Sequence, residues 1–447
     1  MSNAKRKVAV IGAGIAGSSA ALGLLEAGFD VTLYSDKDRK TLRDNVPATG
    51  TAIYFGKPSQ EADAQIVENI YGEDSFTDGF SVRGYDADKK PILSFDVDFR
   101  YFRAQGVDPR IRADDRIGRF IDKGGKFKVE QIDFDRLDEI AKKSDLTLIG
   151  TGKGGLSELF GVDDSRTVYN EPQRYLLTVN VAGLPFDDKA FDYRSKVGWK
   201  HNLFTSNQKQ GEIFTGAFLH KDVGHSWILL GFAKPESEWR QRFEQAVDAA
   251  SALQIFKDIF SDYFPQDAKE IAKFTLIKSD PYSWLKGAVT PLVRNAVGFT
   301  KSGVPVAALG DTAIIFDPIA GQGAQNVSVQ VAALVKAAKS HKGEFDAEWI
   351  KAQFDAHWLN HGHGATEATR LYLEDPKYAA HLEALFPAAA VNEHAGSAFF
   401  RFQSEPSLIL NLQTREAIER YIEEESGERF GELIERFKPD EKFSGRD

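Results

Sequence analysis

Residues 310–326 read Gly-Asp-Thr-Ala-Ile-Ile-Phe-Asp-Pro-Ile-Ala-Gly-Gln-Gly-Ala-Gln-Asn, an acid and a glycine turn at a spacing that suits a polyol and an electron-rich ring. The run starts where the apolar stretch 304–309 ends. It therefore predicts a strand, an acid at the strand end, a loop, and a helix from about Gly323. A strand-end carboxylate such as Asp311 can accept hydrogen bonds from the hydroxyls of a sugar or ribityl chain. A Gly-Gln-Gly turn opening a helix presents unpaired backbone N–H groups to an electron-rich group. Together these describe a seat for an isoalloxazine ring and its ribityl chain.

At the other end of the chain, Gly12-Ala13-Gly14-Ile15-Ala16-Gly17 follows the apolar run 8–11 and precedes a helical run at 18–26. The first Gly permits a tight turn, the second lets the backbone approach a pyrophosphate, and the third lets helix and strand pack closely. A second strand at 31–34 completes a βαβ unit. Ser35-Asp36 stands where an acid about 20 residues after the glycines meets the ribose. A ring seat and a dinucleotide motif in one chain point to FAD. A second Gly-x-Gly-x-x-Gly, Gly150-Thr151-Gly152-Lys153-Gly154-Gly155, follows an apolar run at 146–149. It reads as a separate NAD(P)H site or as a strand-to-Thr-Gly turn where the chain crosses back beneath the FAD. No second strand with a terminal acid follows at βαβ spacing, so the crossing is the expectation.

The elements that must position these groups are interleaved. Residues 1–165 alternate strands and helices, with hairpin-like material at 79–99, and form the first part of an FAD-binding domain. Residues 166–286 carry alternating strand patterns at 175–181 and 227–232 and a helical stretch at 235–264. They are expected to form an inserted β-rich substrate domain. Residues 287–340 return to the nucleotide fold, and 341–447 are helical. The charge-laced stretch 416–437 reads as a solvated helix. This build places substrate at a domain interface.

Composition excludes several functions. The 447 residues suffice for two or three domains or one large elaborated one. A net charge of −10 argues against nucleic acid or an anionic membrane as partner. The first apolar run is a strand of the nucleotide fold rather than a signal peptide, and no uncharged apolar stretch reaches bilayer length. A cytoplasmic location is expected. There is no Cys, which excludes disulfides, thiolate metal sites and a Cys nucleophile. The initiator is the one Met. Met and Cys are the side chains peroxide oxidises most readily; a peroxide-producing enzyme, sulfur-poor growth and engineering would all leave this trace. His357, His361 and His363 have a spacing that metals use. Gly362 and Gly364 instead suggest a helix end, and no metal is expected.

These motifs together resemble the oxygenase component of two-component styrene and indole monooxygenases, within the flavin aromatic hydroxylase superfamily. The resemblance runs from residue 1 to about residue 340, with a looser helical match beyond. It is carried by Val31-Thr32-Leu33-Tyr34-Ser35-Asp36, Val107-Asp108-Pro109-Arg110, Gly124-Gly125-Lys126-Phe127, Thr151-Gly152-Lys153 and Pro172-Gln173-Arg174. Gly287-Ala288-Val289-Thr290-Pro291 with Arg294, and Gly310-Asp311 with Asp317-Pro318 and Gly321-Gln322-Gly323-Ala324, complete it. It implies an α/β fold: an FAD-binding Rossmann-like domain of the aromatic hydroxylase type, the inserted β-rich domain and a helical C-terminal region. It also implies that Gly12, Gly14, Gly17, Ser35, Asp36, Arg43, Arg110, Thr151, Gly152 and Asp311 hold FAD. Pro318, Gly321, Gln322, Gly323 and Ala324 would face the ring. The segment 43–50 departs from the family pattern: an Asn-Thr pair near the flavin is matched by Asn45 only across a one-residue gap.

The chemistry implied is epoxidation of an aromatic alkene such as styrene or indole, with thioether sulfoxidation within reach. Reduced FAD would come from a separate NADH-dependent flavin reductase and meet O2 to give a flavin C4a-hydroperoxide, so the cofactor carries the hard step. No acid/base pair is required. The substrate would be a small apolar aromatic, and a homodimer is compatible with this build. Alternatives are a single-component NAD(P)H-dependent aromatic hydroxylase and a non-enzymatic flavin-binding protein. A flavin halogenase lacks its Trp-x-Trp-x-Ile-Pro signature, for which Trp284-Leu285-Lys286 is a poor substitute. If low sulfur reflects sulfur sparing, an organosulfur substrate follows.

Overall fold

The computed structural model describes residues 5–47, 52–195 and 198–438. Its first sheet runs in the order Val297–Phe299, Pro305–Ala308, Leu146–Ile149, Lys7–Ile11, Asp30–Ser35, Lys126–Val129. All neighbours are parallel except the pair at the 297–299 edge. The central strands read as near-continuous Val, Ile and Leu because both faces are covered. Helices Ile15–Glu26, Pro109–Asp122 and Gln322–Ser340 bury one face through Leu22, Leu24, Ile117, Phe120, Val327 and Val331. Strand Leu146–Ile149 sits between Lys7–Ile11 and Pro305–Ala308. A short 3-10 turn, Gly155–Leu159, follows it. The second glycine motif thus belongs to the same nucleotide sheet.

The second sheet has 11 strands. Its main path is Thr275–Leu276, Tyr175–Ala182, Gly224–Ala233, Gly211–His220, His201–Asn207, Gly79–Tyr85, Pro91–Asp98. Period-two alternation gives it two buried faces. From Gly224–Ala233, Trp227 and Leu229 turn to one side and Ile228, Leu230 and Phe232 to the other. The first side packs on helices Glu238–Glu244 and Ala249–Tyr263 through Trp239, Phe243, Phe256 and Phe260. The second side faces the C-terminal helices. Strand pairing crosses the boundaries drawn from sequence: Gly79–Tyr85 pairs in parallel with His201–Asn207, and Ala104–Val107 pairs with Gly211–His220. The sheet therefore takes strands from within residues 1–165 as well as from 166–286.

Beyond residue 340 the described chain is helical. Helices Ala347–His357 and His363–Tyr372 join through a π turn, Trp358–Gly362, so Gly362 and Gly364 do not end the helix as expected. The reason is packing: Gly364 lies against the Ser407 backbone, where a Cβ would collide. The stretch expected to be one solvated helix is two, Arg415–Ser426 and Phe430–Arg436, divided at Gly427. Gly427 adopts φ +74°, a left-handed helix stop. Ile418, Ile422 and Leu433 are buried, forming an apolar stripe that the charged residues between them obscure in the sequence.

Candidate flavin site

The site starts where strand Lys7–Ile11 ends. Gly12 adopts φ +102°, and its N–H donates to the Tyr34 carbonyl at 2.9 Å, binding the turn to the strand end that carries Ser35 and Asp36. A Cβ on Gly17 would run into the Gly12 carbonyl, whereas a Cβ on Gly14 would meet nothing. One glycine serves the turn, one the helix–strand contact, and one leaves room for a ligand. Helix Ile15–Glu26 opens there with no side-chain cap, so its first N–H groups remain available to an anion.

Thr151 and Gly152 lie beside Asp311. The Thr312 hydroxyl donates to the Gly152 carbonyl at 3.1 Å. Arg294 donates to the carbonyls of Asp311 and Thr312 at 3.3 and 3.4 Å. The Asp311 side chain reaches solvent but stands deep among protein atoms. That desolvation raises its carboxyl above the ordinary value, against the pull of Lys153 and Arg294. Gly152 and Gly323, like Gly14, border open space.

The turn expected to face the ring is held by buried amides. Asp317 caps the Pro318–Ala320 turn, accepting the Ile319 N–H at 3.1 Å. Gly321 then turns at φ +63°, where a Cβ would strike the Phe55 ring. The Gln325 side chain donates to the Gly321 and Gln403 carbonyls at 3.0 Å each, and accepts from the Phe55 N–H and Ser59 hydroxyl at 3.0 and 3.1 Å. Gln322 donates to the Ala320 carbonyl and also to that of Gln403. Helix Gln322–Ser340 starts without a side-chain cap, as a ligand-facing N-terminus requires. Behind it, His357 Nε2 lies 2.7 Å from Asn326 Oδ1. Burial pushes His357 down to about 3 and His361 to about 4, so both are neutral anchors at physiological pH.

Other expected residues are placed differently. Asp36 is exposed and pairs with Lys37, and Ser35 accepts the Lys37 N–H at 3.2 Å. Arg43 donates to the Lys221 carbonyl at 2.9 Å and to Asp44 at 2.7 Å. Arg110 is buried, with contacts to Asp108 at 2.8 Å, Asp280 at 2.6 Å and the Val46 carbonyl at 3.2 Å. His220, Asp222 and Asp280 bring potential ligand atoms within 4.8 Å of one another. Arg110 and Lys221, the latter 3.9 Å from Asp280, already supply positive charge there. Asn45 is exposed at the C-terminal end of helix Arg39–Asp44. Ala48, Thr49 and Gly50 of the departing segment lie outside the described residues.

One feature escaped the sequence: the Pro318–Ala320 turn backs onto phenylalanine. Ile319 and Ala320 share an apolar cluster with Phe55, Phe80, Phe95, Phe214, Phe399 and Phe400. Phe80 stacks on Phe400 at 4.3 Å between ring centres. These rings come from both sheet segments and a C-terminal helix, so no local motif announces them. Gln403 is similarly unmarked. Arg174, by contrast, lies in a quoted motif; its partner is Glu212, paired through two hydrogen bonds at 2.9 and 3.0 Å.

The chemistry of this donor set fits FAD: an anion-ready helix start with an open glycine, a carboxylate at a strand end, and a second uncapped helix start. Residues 7–94 match the profile of an FAD-binding domain. Residues 152–269 match the domain assigned to substrate binding in styrene monooxygenase A. The chain is a styrene monooxygenase-like flavin oxygenase. FAD is its cofactor, and its reaction class is FAD-dependent monooxygenation. Styrene monooxygenase StyA from Pseudomonas sp. is 22% identical over 327 residues, covering 72% of this chain and 75% of that protein. The Pseudomonas fluorescens StyA is 23% identical over the same length and shares. Among solved structures, a flavoprotein/dehydrogenase from Cytophaga hutchinsonii superposes with a TM-score of 0.62 at 13% identity, covering 93% of this chain and 99% of that one. The tetrameric form of 2-methyl-3-hydroxypyridine-5-carboxylic acid oxygenase gives 0.56 at 14% identity, covering 88% and 97%. These two likenesses establish the fold. Among the described residues no helix is long and apolar enough to cross a membrane.

Proposed function

We propose that this oxygenase receives reduced FAD from a separate NADH-dependent reductase and epoxidises a small apolar aromatic alkene of the styrene or indole kind, with thioethers as secondary substrates. The observation that supports this reading is the phenylalanine-rich apolar cluster packed against Ile319 and Ala320, behind the turn assigned to the ring. Such a wall suits a flat hydrocarbon and excludes water. Bound FAD supplies electrophilic oxygen derived from O2. Gly14 leaves room for the pyrophosphate, with Gly12 making the turn and Gly17 the helix–strand contact; Asp36 takes the adenosine ribose, and Asp311 with Thr151 and Gly152 the ribityl region. The N–H groups of Gly323 and Ala324, at the uncapped helix start, would be available to the ring, with Pro318, Gly321 and Gln322 shaping the turn. Arg43 and Arg110 fix the 43–47 segment, Arg110 through the Val46 carbonyl, and Asn45 borders the substrate side. Oxygen transfer to an alkene needs no strong base, in keeping with an apolar wall.

The test is product analysis with styrene, indole and an aryl thioether, using chemically reduced FAD under air. Epoxide from the alkenes is the expected result. Rapid oxidation of NADH by the purified protein and FAD alone would overturn the two-component assignment. A marked preference for the thioether would move the physiological substrate to organosulfur compounds.

A further inference from the structure

Asp317 is fully buried, directly before the Pro318–Ala320 turn. Its Oδ1 accepts the Ile319 N–H, while Oδ2 has no hydrogen-bond partner among the described residues. A buried ionised carboxylate ordinarily needs a cation or donors on both oxygens. The charged groups facing it are Arg174, Glu212 and Lys153. Arg174 is engaged by Glu212 through two hydrogen bonds, with Glu374 a further 4.0 Å contact. Glu212 adds negative charge. Lys153 is shared with Asp311. No cation is therefore dedicated to Asp317, and burial pushes its carboxyl up to about 7.

We propose that Asp317 is a proton gate on the redox state of the cofactor, held as a neutral acid beside the ring-facing turn. This rests on the assignment of FAD to residues 318–324. The oxidised ring is neutral, whereas the reduced ring is an anion at neutral pH. A second buried negative charge nearby raises the cost of holding that anion. With its proton in place Asp317 admits reduced FAD; once ionised it turns that form away. The protein thereby keeps the reactive form only when a proton accompanies it.

The test compares wild type with Asp317→Asn, titrating chemically reduced FAD without oxygen, and oxidised FAD, from about pH 6 to about pH 9. In the wild type the affinity for reduced FAD should fall roughly tenfold per pH unit above about 7, because one proton is taken up with each ring. Oxidised FAD should change by less than about threefold, an extent too small for a full proton uptake. In Asp317→Asn the extra slope for reduced FAD should vanish; the ring's own ionisation is common to both proteins. Equal slopes in the two proteins would overturn the gate while leaving the FAD assignment intact. Failure of folded wild type to bind either form at any pH would overturn the assignment itself. If Asp317→Asn does not fold, wild type decides by infrared spectroscopy. A carboxylic acid C=O band present at about pH 6 and lost by about pH 8.5 supports the gate; no such band at about pH 6 overturns it.

Discussion

The cofactor turns and the phenylalanine wall meet at Gly321, yet opposite constraints build them. The turns are made by backbone: Gly12 and Gly321 need left-handed conformations, and Gly17 must let two elements touch. The wall is made by side-chain volume, with Phe55, Phe80 and Phe400 arriving from distant segments. Backbone constraints admit one residue type, so they leave a local signature. Volume constraints admit many substitutions and leave none. The glycine turns are therefore rigidly encoded, and the phenylalanine cluster is loosely encoded.

Gly17→Ala should break the first region most severely. Its Cβ would press on the Gly12 carbonyl, which cannot yield without moving the strand. A loss above about 4 kcal/mol is expected, read as a collapse of the denaturant midpoint. Phe80→Ala tests the wall and should cost about 3–5 kcal/mol, because its neighbours Phe400 and Phe214 are themselves packed. It should still bind FAD, with more peroxide released per product formed. An acid series separates the regions without mutation. His357 and His361 are depressed by burial, so the stability they contribute is full above about 6.5 and is lost as pH falls toward about 4 and 3. Amide exchange should accordingly rise first around Asn326, before strand Gly224–Ala233; the reverse order would contradict this. Gly14→Ala should have the smallest stability effect, within about 0.5 kcal/mol. Because its Cβ points into open space, its effect should appear in FAD affinity, by about tenfold or more.

How legible the molecule was follows the same division. The nucleotide sheet, the strand that leads into Thr151-Gly152 and the helix start at Gln322 were readable, since each rests on a glycine or a strand–acid junction. Strand partners were not: nothing local in 79–85 says that it pairs with 201–207, and that pairing depends on chain reversal far away. That Gly362 and Gly364 lie within the helical run was hidden because the close contacts they allow, with Ile314 and Ser407, come from distant segments. Gln325 lies within the 310–326 motif, yet its function is visible only through its partners Phe55, Ser59 and Gln403. The cluster's phenylalanines were among 33 in the chain, and composition alone could not say which pack behind the turn.

The carbonyl of Gln403, which receives both Gln322 and Gln325, has a bearing on biogenesis. During synthesis every strand of both sheets leaves the ribosome before residue 403 does. A nascent chain can thus assemble its scaffold while the amides beneath the flavin turn still lack their shared acceptor. The amides that hold the turn are thus paired only once residue 403 has been made.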